Sequence, residues 1–398
     1  MRPIGLIAAL AAGLALAAPA AASPPSVDGA RSAIVMDARD GAVLFRKDPD
    51  ERRAIASTTK MMTALLAIEH SRPGEVFTAP AYNAQPAESQ IDLSPGERMT
   101  VHDLLRALLL ESANDAAVTI AHGVSGSESA FVDEMNRRAA RLGLAETHYA
   151  NPIGLDEPGN YSSARDLADL ARVLLHHPRI ARIVDMPEAV LESGARRRVV
   201  DNRNGLVARY PFVDGVKTGH TLQAGDVLVG AARRGGAGVV SVVLGEPSEA
   251  SRDADTLALL RFGLSRYRRV VAVRARRVVA RAKVKYRDER AELVPASGVA
   301  LTVRRGERIS RRVRAPDELE GPVAKGARVG RVAVMREGRV VRRVALVTAA
   351  PVPEAGTLRV VLSTLGVPLT LVLLLGILVA GALTVTRLRV RLRLVRTR

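Results

Sequence analysis

Lysine is scarce in this chain. Lys47, Lys60, Lys217, Lys283, Lys285 and Lys325 stand against 53 arginines in 398 residues. Arginine supplies the general positive charge here, so a retained lysine points to chemistry that arginine cannot do. A guanidinium stays protonated, whereas a buried ammonium can lose its proton and serve as a base. Lys60 closes the run Ser57-Thr58-Thr59-Lys60. In a helix, positions i and i+3 share a face, which brings the amine within reach of the serine oxygen. A neutral amine would take the hydroxyl proton as the oxygen attacks a carbonyl, the Ser–Lys form of an activated nucleophile. Taken alone, the pair equally fits a helix start capped by Ser57 with an exposed lysine.

Two further stretches change that balance. Ser112-Ala113-Asn114 follows leucines at 104, 105, 108 and 109, a helical spacing, and Lys217-Thr218-Gly219 lies on a β-branched run and is followed by His220. Ser-x-x-Lys, Ser-x-Asn and Lys-Thr-Gly in this order are a signature of penicillin-binding proteins and class A β-lactamases. The chain resembles the low-molecular-mass penicillin-binding proteins, the serine-type D-alanyl-D-alanine carboxypeptidases that trim peptidoglycan stem peptides. Residues 56–63 (A-S-T-T-K-M-M-T), 151–155 (N-P-I-G-L), 161–167 (Y-S-S-A-R-D-L) and 214–221 (D-G-V-K-T-G-H-T) are similar to that family as well.

The resemblance covers about 28–266 and implies a set of roles. Ser57 attacks the carbonyl between two D-alanines, Lys60 is the general base, and Ser112 relays a proton to the leaving amine. Asn114 orients Lys60 or the substrate amide. Lys217 and Thr218 bind the terminal carboxylate, Gly219 lets the strand approach the substrate, and the backbone N–H groups of Ser57 and His220 form the oxyanion hole. β-Lactams are implied as covalent inhibitors. A β-lactamase, a DD-endopeptidase or a slow wall-binding sensor could share these motifs. For a β-lactamase the acidic residues to consider for deacylation are Asp156 and Glu157, in a stretch that resembles the carboxypeptidases.

With no cysteine, the chain has no disulfide, thiolate nucleophile or cysteine-ligated zinc. The remaining six histidines show no metal-ligand spacing, so no metal or other cofactor is expected. The residue pattern around the motifs predicts the elements that must position them. Residues 32–37 and 42–46 around Asp40-Gly41 read as a hairpin. A helix should start near Ser57 and end before Pro73, and Ser125-x-x-Glu128 reads as a capping box for a helix closing at Gly143. Ser163-x-x-Asp166 reads as another helix start. Residues 213–218, 227–232 and 239–244 read as strands, and 253–264 as a helix. Strands at both ends with helices between predict an α/β, two-lobed DD-peptidase/β-lactamase-like domain with an antiparallel sheet.

Residues 270–350 alternate Val and Arg and predict a small β domain with one charged face. They hold 21 Lys and Arg against 8 acidic residues, residues 351–398 hold 7 against 1, and residues 1–269 hold 31 against 32. The basic character therefore belongs to the back of the chain. Residues 1–22, with Arg2, an apolar run and a small-residue end, read as a signal peptide cleaved after Ala22. Residues 351–358 read as a linker. From 360 to 385 no residue is charged, a length that exceeds the roughly 30 Å hydrocarbon core, so 359–386 reads as a transmembrane helix with Pro368 as a possible kink. The arginines of the 387–398 tail mark the cytoplasmic side. The catalytic domain is thus expected outside the cell membrane, where the basic domain would meet anionic lipid or wall polymer rather than nucleic acid.

Overall fold

A computed structural model describes residues 23–85 and 87–395. The expected signal peptide lies outside the described residues, as does the end of the basic tail. The chain divides into two compact units, residues 1–268 and 269–398.

The first unit is built on a five-stranded antiparallel sheet of β1 (Ser32–Asp37), β2 (Val43–Lys47), β3 (Val213–Thr221), β4 (Gly225–Arg234) and β5 (Ala237–Glu246), in the order β2-β1-β5-β4-β3. Successive side chains of a strand point to opposite faces, and both faces of this sheet are covered. Ile34, Met36, Val227, Val229, Val240 and Val242 join the core of the helical lobe. Ala33, Val35, Leu228, Val239 and Val243 pack with Leu259, Leu260 and Leu264 of α5 (Glu249–Ser265). This double burial explains why the strands read as continuous apolar runs without clean alternation.

The helical lobe contains α1 (Lys60–His70), α2 (Asn114–Ser125), α3 (Glu128–Leu142) and α4 (Ala164–Leu175). Helix α1 is buried from Lys60 to Ala67, as expected of a helix apolar nearly all round. Ser163 caps α4 by accepting from the Asp166 N–H. The capping box read at Ser125 is corrected: Ser125 ends α2, Gly126 reverses the chain at φ 79°, and Ser127 caps α3 by accepting from Ala130 N–H. The left-handed glycine removes Ser125 from the start of the next helix.

In the second unit, β7 (Ala280–Val284), β8 (Arg290–Pro295), β10 (Ile309–Arg314), β11 (Glu318–Leu319), β12 (Arg328–Arg336) and β13 (Arg339–Thr348) form one sheet in the order β10-β12-β13-β8-β7-β11. The strands β6 (Tyr267–Val273) and β9 (Val299–Arg304) pair separately. A small core of Val273, Ala282, Leu293, Val332, Val334 and Leu346 holds this unit together. The helix α6 (Thr357–Val395) contains a stretch, Gly366–Arg389, long and apolar enough to cross a membrane. Its break falls at Gly366 (φ 75°, ψ 158°), not at Pro368. Proline disfavours helical backbone in the residue before it, and the nearby glycine takes the reversal at little steric cost.

Candidate active site

Ser57 does not sit inside a helix. It lies in a 3-10 turn, Ala56–Thr59, that leads straight into α1. In a 3-10 turn, i and i+3 eclipse, so Lys60 stands directly over Ser57. Lys60 Nζ lies 2.9 Å from Ser57 Oγ and donates to the Ile153 carbonyl at 2.6 Å. Ala56, just before the nucleophile candidate, is held at φ 47°, a conformation uncommon outside glycine and one that collects at functional sites. Gly154 packs against this turn, and its Cα faces the Ala56 carbonyl so closely that a Cβ would stand 2.1 Å from that oxygen.

Lys60 is fully buried. Burial, and then the positive charge of Lys217, push its pKa well below the usual lysine value, while Glu88 and Asp115 oppose them. Such an amine can be neutral at working pH, as a base must be.

The Lys217-Thr218-Gly219 stretch runs along β3 past this turn. A Cβ on Gly219 would lie 2.8 Å from the Ser57 nitrogen, so only glycine lets β3 pass this close. Lys217 is buried, donates to the Thr218 carbonyl at 3.0 Å, and has its pKa lowered to about 7 by burial and by Arg203 and Arg252. His220 is exposed, with Nδ1 3.3 Å from an Asp226 carboxylate oxygen.

Ser112 is buried at φ 67°, in the reversal between a π-helical turn, Ala107–Glu111, and α2. π-helical turns recur at functional sites because they displace the residues that follow. Asn114 opens α2. Its side-chain amide donates to Glu88 at 2.7 Å. Glu88 also accepts from the Tyr82 hydroxyl and, at 3.0 Å, from Gln85 N–H.

Glu88 is the residue that motif reading missed. It lies 26 positions before Asn114, in a stretch without regular structure, and no spacing rule joins the two. Asp115 was missed too. Buried at the start of α2, it accepts from Ile91 N–H at 3.1 Å and Leu93 N–H at 2.9 Å and pins the segment that carries Glu88. Its place in the first turn, beside Asn114, was the available signal. Arg203 is a third. Its charge acts on Lys217, and it pairs with Glu111.

The two acidic residues considered for deacylating a β-lactam are engaged elsewhere. Asp156 accepts from Thr221 Oγ1 at 2.7 Å and Gln223 N–H at 3.1 Å, and Glu157 accepts from Asn151 Nδ2 at 2.9 Å.

Comparison with known proteins agrees with this arrangement. A family model described as D-alanyl-D-alanine carboxypeptidase matches residues 18–248, and one described as the C-terminal domain of penicillin-binding protein 5 matches 272–354. The chain is 33% identical over 347 residues to the D-alanyl-D-alanine carboxypeptidase DacF of Bacillus subtilis, covering 85% of this chain and 89% of that one. It is 33% identical over 346 residues to DacA of Escherichia coli K12, covering 83% and 85%. Penicillin-binding protein 5 of Haemophilus influenzae has a similar solved structure, with a TM-score of 0.59 and 30% identity, over 84% of this chain and all of that one. The paired Ser57 and Lys60, the glycine strand beside them and these matches have one reading: the chain belongs to the serine-type D-alanyl-D-alanine carboxypeptidase family of penicillin-binding proteins.

Proposed function

We propose that Ser57 and Lys60 form the nucleophile–base pair with which this serine hydrolase removes the terminal D-alanine of peptidoglycan stem pentapeptides. The Ser57 hydroxyl donates to neutral Lys60, and as Oγ attacks the penultimate carbonyl carbon its proton passes to the amine. The N–H groups of Ser57 and His220 hold the oxyanion, each worth about 2.7–4 kcal/mol of barrier. Collapse breaks the C–N bond, and the proton returns through Ser112 to the leaving D-alanine. Water then attacks the acyl carbon and yields a proton to Lys60; the bond to Ser57 Oγ breaks, and Lys60 returns the proton to that oxygen. Lys217 and Thr218 take the terminal carboxylate in a charge-assisted contact. A β-lactam would acylate Ser57 by the same attack, its ring amide opening in place of the peptide bond.

The observation that carries this reading is a lysine with no exposed surface, 2.9 Å from a serine oxygen. The test is release of free D-alanine from a pentapeptide, run beside capture of labelled penicillin. Ser57→Ala should abolish both without changing thermal unfolding. Lys60→Arg should lose about 10²-fold or more, since arginine keeps its proton. Labelling that survives Ser57→Ala would put the nucleophile elsewhere.

The same reading places residues 28–266 outside the membrane, after a cleaved signal peptide, with α6 as anchor and the basic tail in the cytoplasm. The basic unit would then face anionic lipid headgroups or wall polymer.

A further inference from the structure

The second unit carries a concentration of charge that the peptidase reaction does not use. On the outer face of its sheet, Arg312, Arg314, Arg331 and Arg343 line a cavity of about 290 Å³ with Ala333, Met335 and Val340. We propose that this cavity docks a phosphate group of an extended polyanion in the extracytoplasmic space, an assignment that rests on the extracytoplasmic placement proposed above.

Register builds the cavity. Val332, Val334, Val344 and Leu346 point into the core, so their neighbours in sequence point out. Ala333 lies between Arg312 on β10 and Arg343 on β13, its direct cross-strand partners. Arg331 lies two residues along β12 and directly opposes Arg314. The short alanine is thus a floor with guanidinium groups on three sides, and Met335 and Val340 close the fourth. The two flanking arginines start about 10 Å apart, two strand spacings, and their long side chains can converge over the alanine.

This arrangement is unfavourable when empty. Like charges directly opposite on neighbouring strands repel. Elsewhere in the unit some such charges find carboxylates: Arg281 pairs with Glu292, Lys285 with Glu320 and Arg336 with Glu307. None of the four cavity arginines has an ion pair among the described residues. An anion would relieve the repulsion. Guanidinium groups arriving from three strands suit a phosphate, which offers oxygens in several directions, better than a carboxylate, which offers two in one plane.

Position along the strands favours a polymer over the lipid surface. The chain leaves the sheet after Thr348, stays bound where Val352 pairs with Val323 and where Glu354 accepts from Arg287 at 2.9 Å, and enters α6 at Thr357. Arg331 and Arg343 lie three and five residues from that end of their strands, Arg328 and Thr348. At about 3.3 Å per residue this is roughly 10–17 Å, beyond the ~8 Å over which salt screens a charged surface.

The test uses the full chain in nanodiscs of zwitterionic lipid, titrated with labelled polyphosphate. Arg312→Gln/Arg331→Gln/Arg343→Gln is compared with Arg311→Gln/Arg339→Gln/Arg342→Gln, which removes equal charge from β10 and β13 of the same sheet outside the cavity. Support is a tenfold or larger loss of affinity for the first triple and less than threefold for the second. The slope of log affinity against log salt should also fall by about 0.7 for the first triple, the value for one neutralised phosphate of a single strand. Equal losses in the two triples would mean diffuse charge and overturn the site. So would polyglutamate binding with the same dependence on the first triple, or binding to anionic vesicles but not to polyphosphate. Unchanged thermal unfolding and D-alanine release in both triples keep this outcome separate from that of the peptidase reading.

Discussion

Three of the six lysines show at the residue level why arginine was not used. Lys47 gathers the carbonyls of Val27, Asp28 and Ala30 at 2.6–3.4 Å, which suits a compact ammonium better than a planar fork. Lys60 and Lys217 are both buried with lowered pKa, yet the proposed mechanism asks opposite states of them: Lys60 neutral, Lys217 charged. This yields a bell-shaped profile. Activity rises as Lys60 loses its proton and falls as Lys217 loses its own near pH 7. Lys217→Arg, which stays protonated, should remove the falling limb of kcat/KM for the pentapeptide; a limb that persists near 7 would assign it to another group. Glu88 gives a second test. Its negative charge holds the Lys60 pKa up. Glu88→Gln keeps an acceptor for Asn114 but removes that charge, so the rising limb should move to lower pH, and the neutral fraction of Lys60 at pH 7 should hold or rise, with nothing like the about 10²-fold loss of a removed base. A limb that stays in place, with only kcat reduced, would leave Glu88 a purely structural role. Ser57 and Lys60 were legible because they lie one turn apart. Glu88 was not, because it lies in an irregular segment 26 residues away, and a contact across that separation leaves no periodic trace.

At the level of elements, the nucleophile turn is set from outside by two glycines. Gly219 lets β3 pass the Ser57 nitrogen, and Gly154, at φ 93°, lies against the Ala56 carbonyl. The turn containing Gly154 also supplies the Ile153 carbonyl that receives Lys60. Gly154→Ala would add backbone strain of about 1–3 kcal/mol and a Cβ that the Ala56 oxygen cannot accommodate. Gly96, at φ 86° with nothing near its Cβ position, isolates the strain alone. We expect Gly96→Ala to lower Tm by only a few degrees and leave penicillin capture intact. Gly154→Ala should lower Tm further and slow acylation; equal behaviour would deny that the turn sets the nucleophile. The strands and helices around the site were legible from period and caps. The 3-10 turn at Ser57, the π-helical turn before Ser112 and the shift of the α3 cap to Ser127 were not. Each depends on how one or two residues reverse the chain, which tertiary packing decides.

Across the whole molecule, charge and apolarity separate along the chain. The peptidase region is near neutral, the second unit is strongly basic, and the stretch Gly366–Arg389 is apolar enough to cross a membrane. If α6 spans with its arginine-rich end inside, the sheet of the second unit must face the same side as Ser57. The absence of cysteine makes this directly measurable, since the chain offers no background to a thiol reagent. Glu337→Cys, at the exposed tip between β12 and β13, should react with a membrane-impermeant maleimide in intact spheroplasts. Thr397→Cys, in the basic tail, should react only after permeabilisation. A chain stopped after Gly356 should leave the membrane fraction and still capture penicillin. Labelling at both cysteines in intact cells would mean that α6 lies along the surface or does not insert. Labelling of Thr397→Cys alone would invert the topology, and with it the access of the Ser57 site to peptidoglycan.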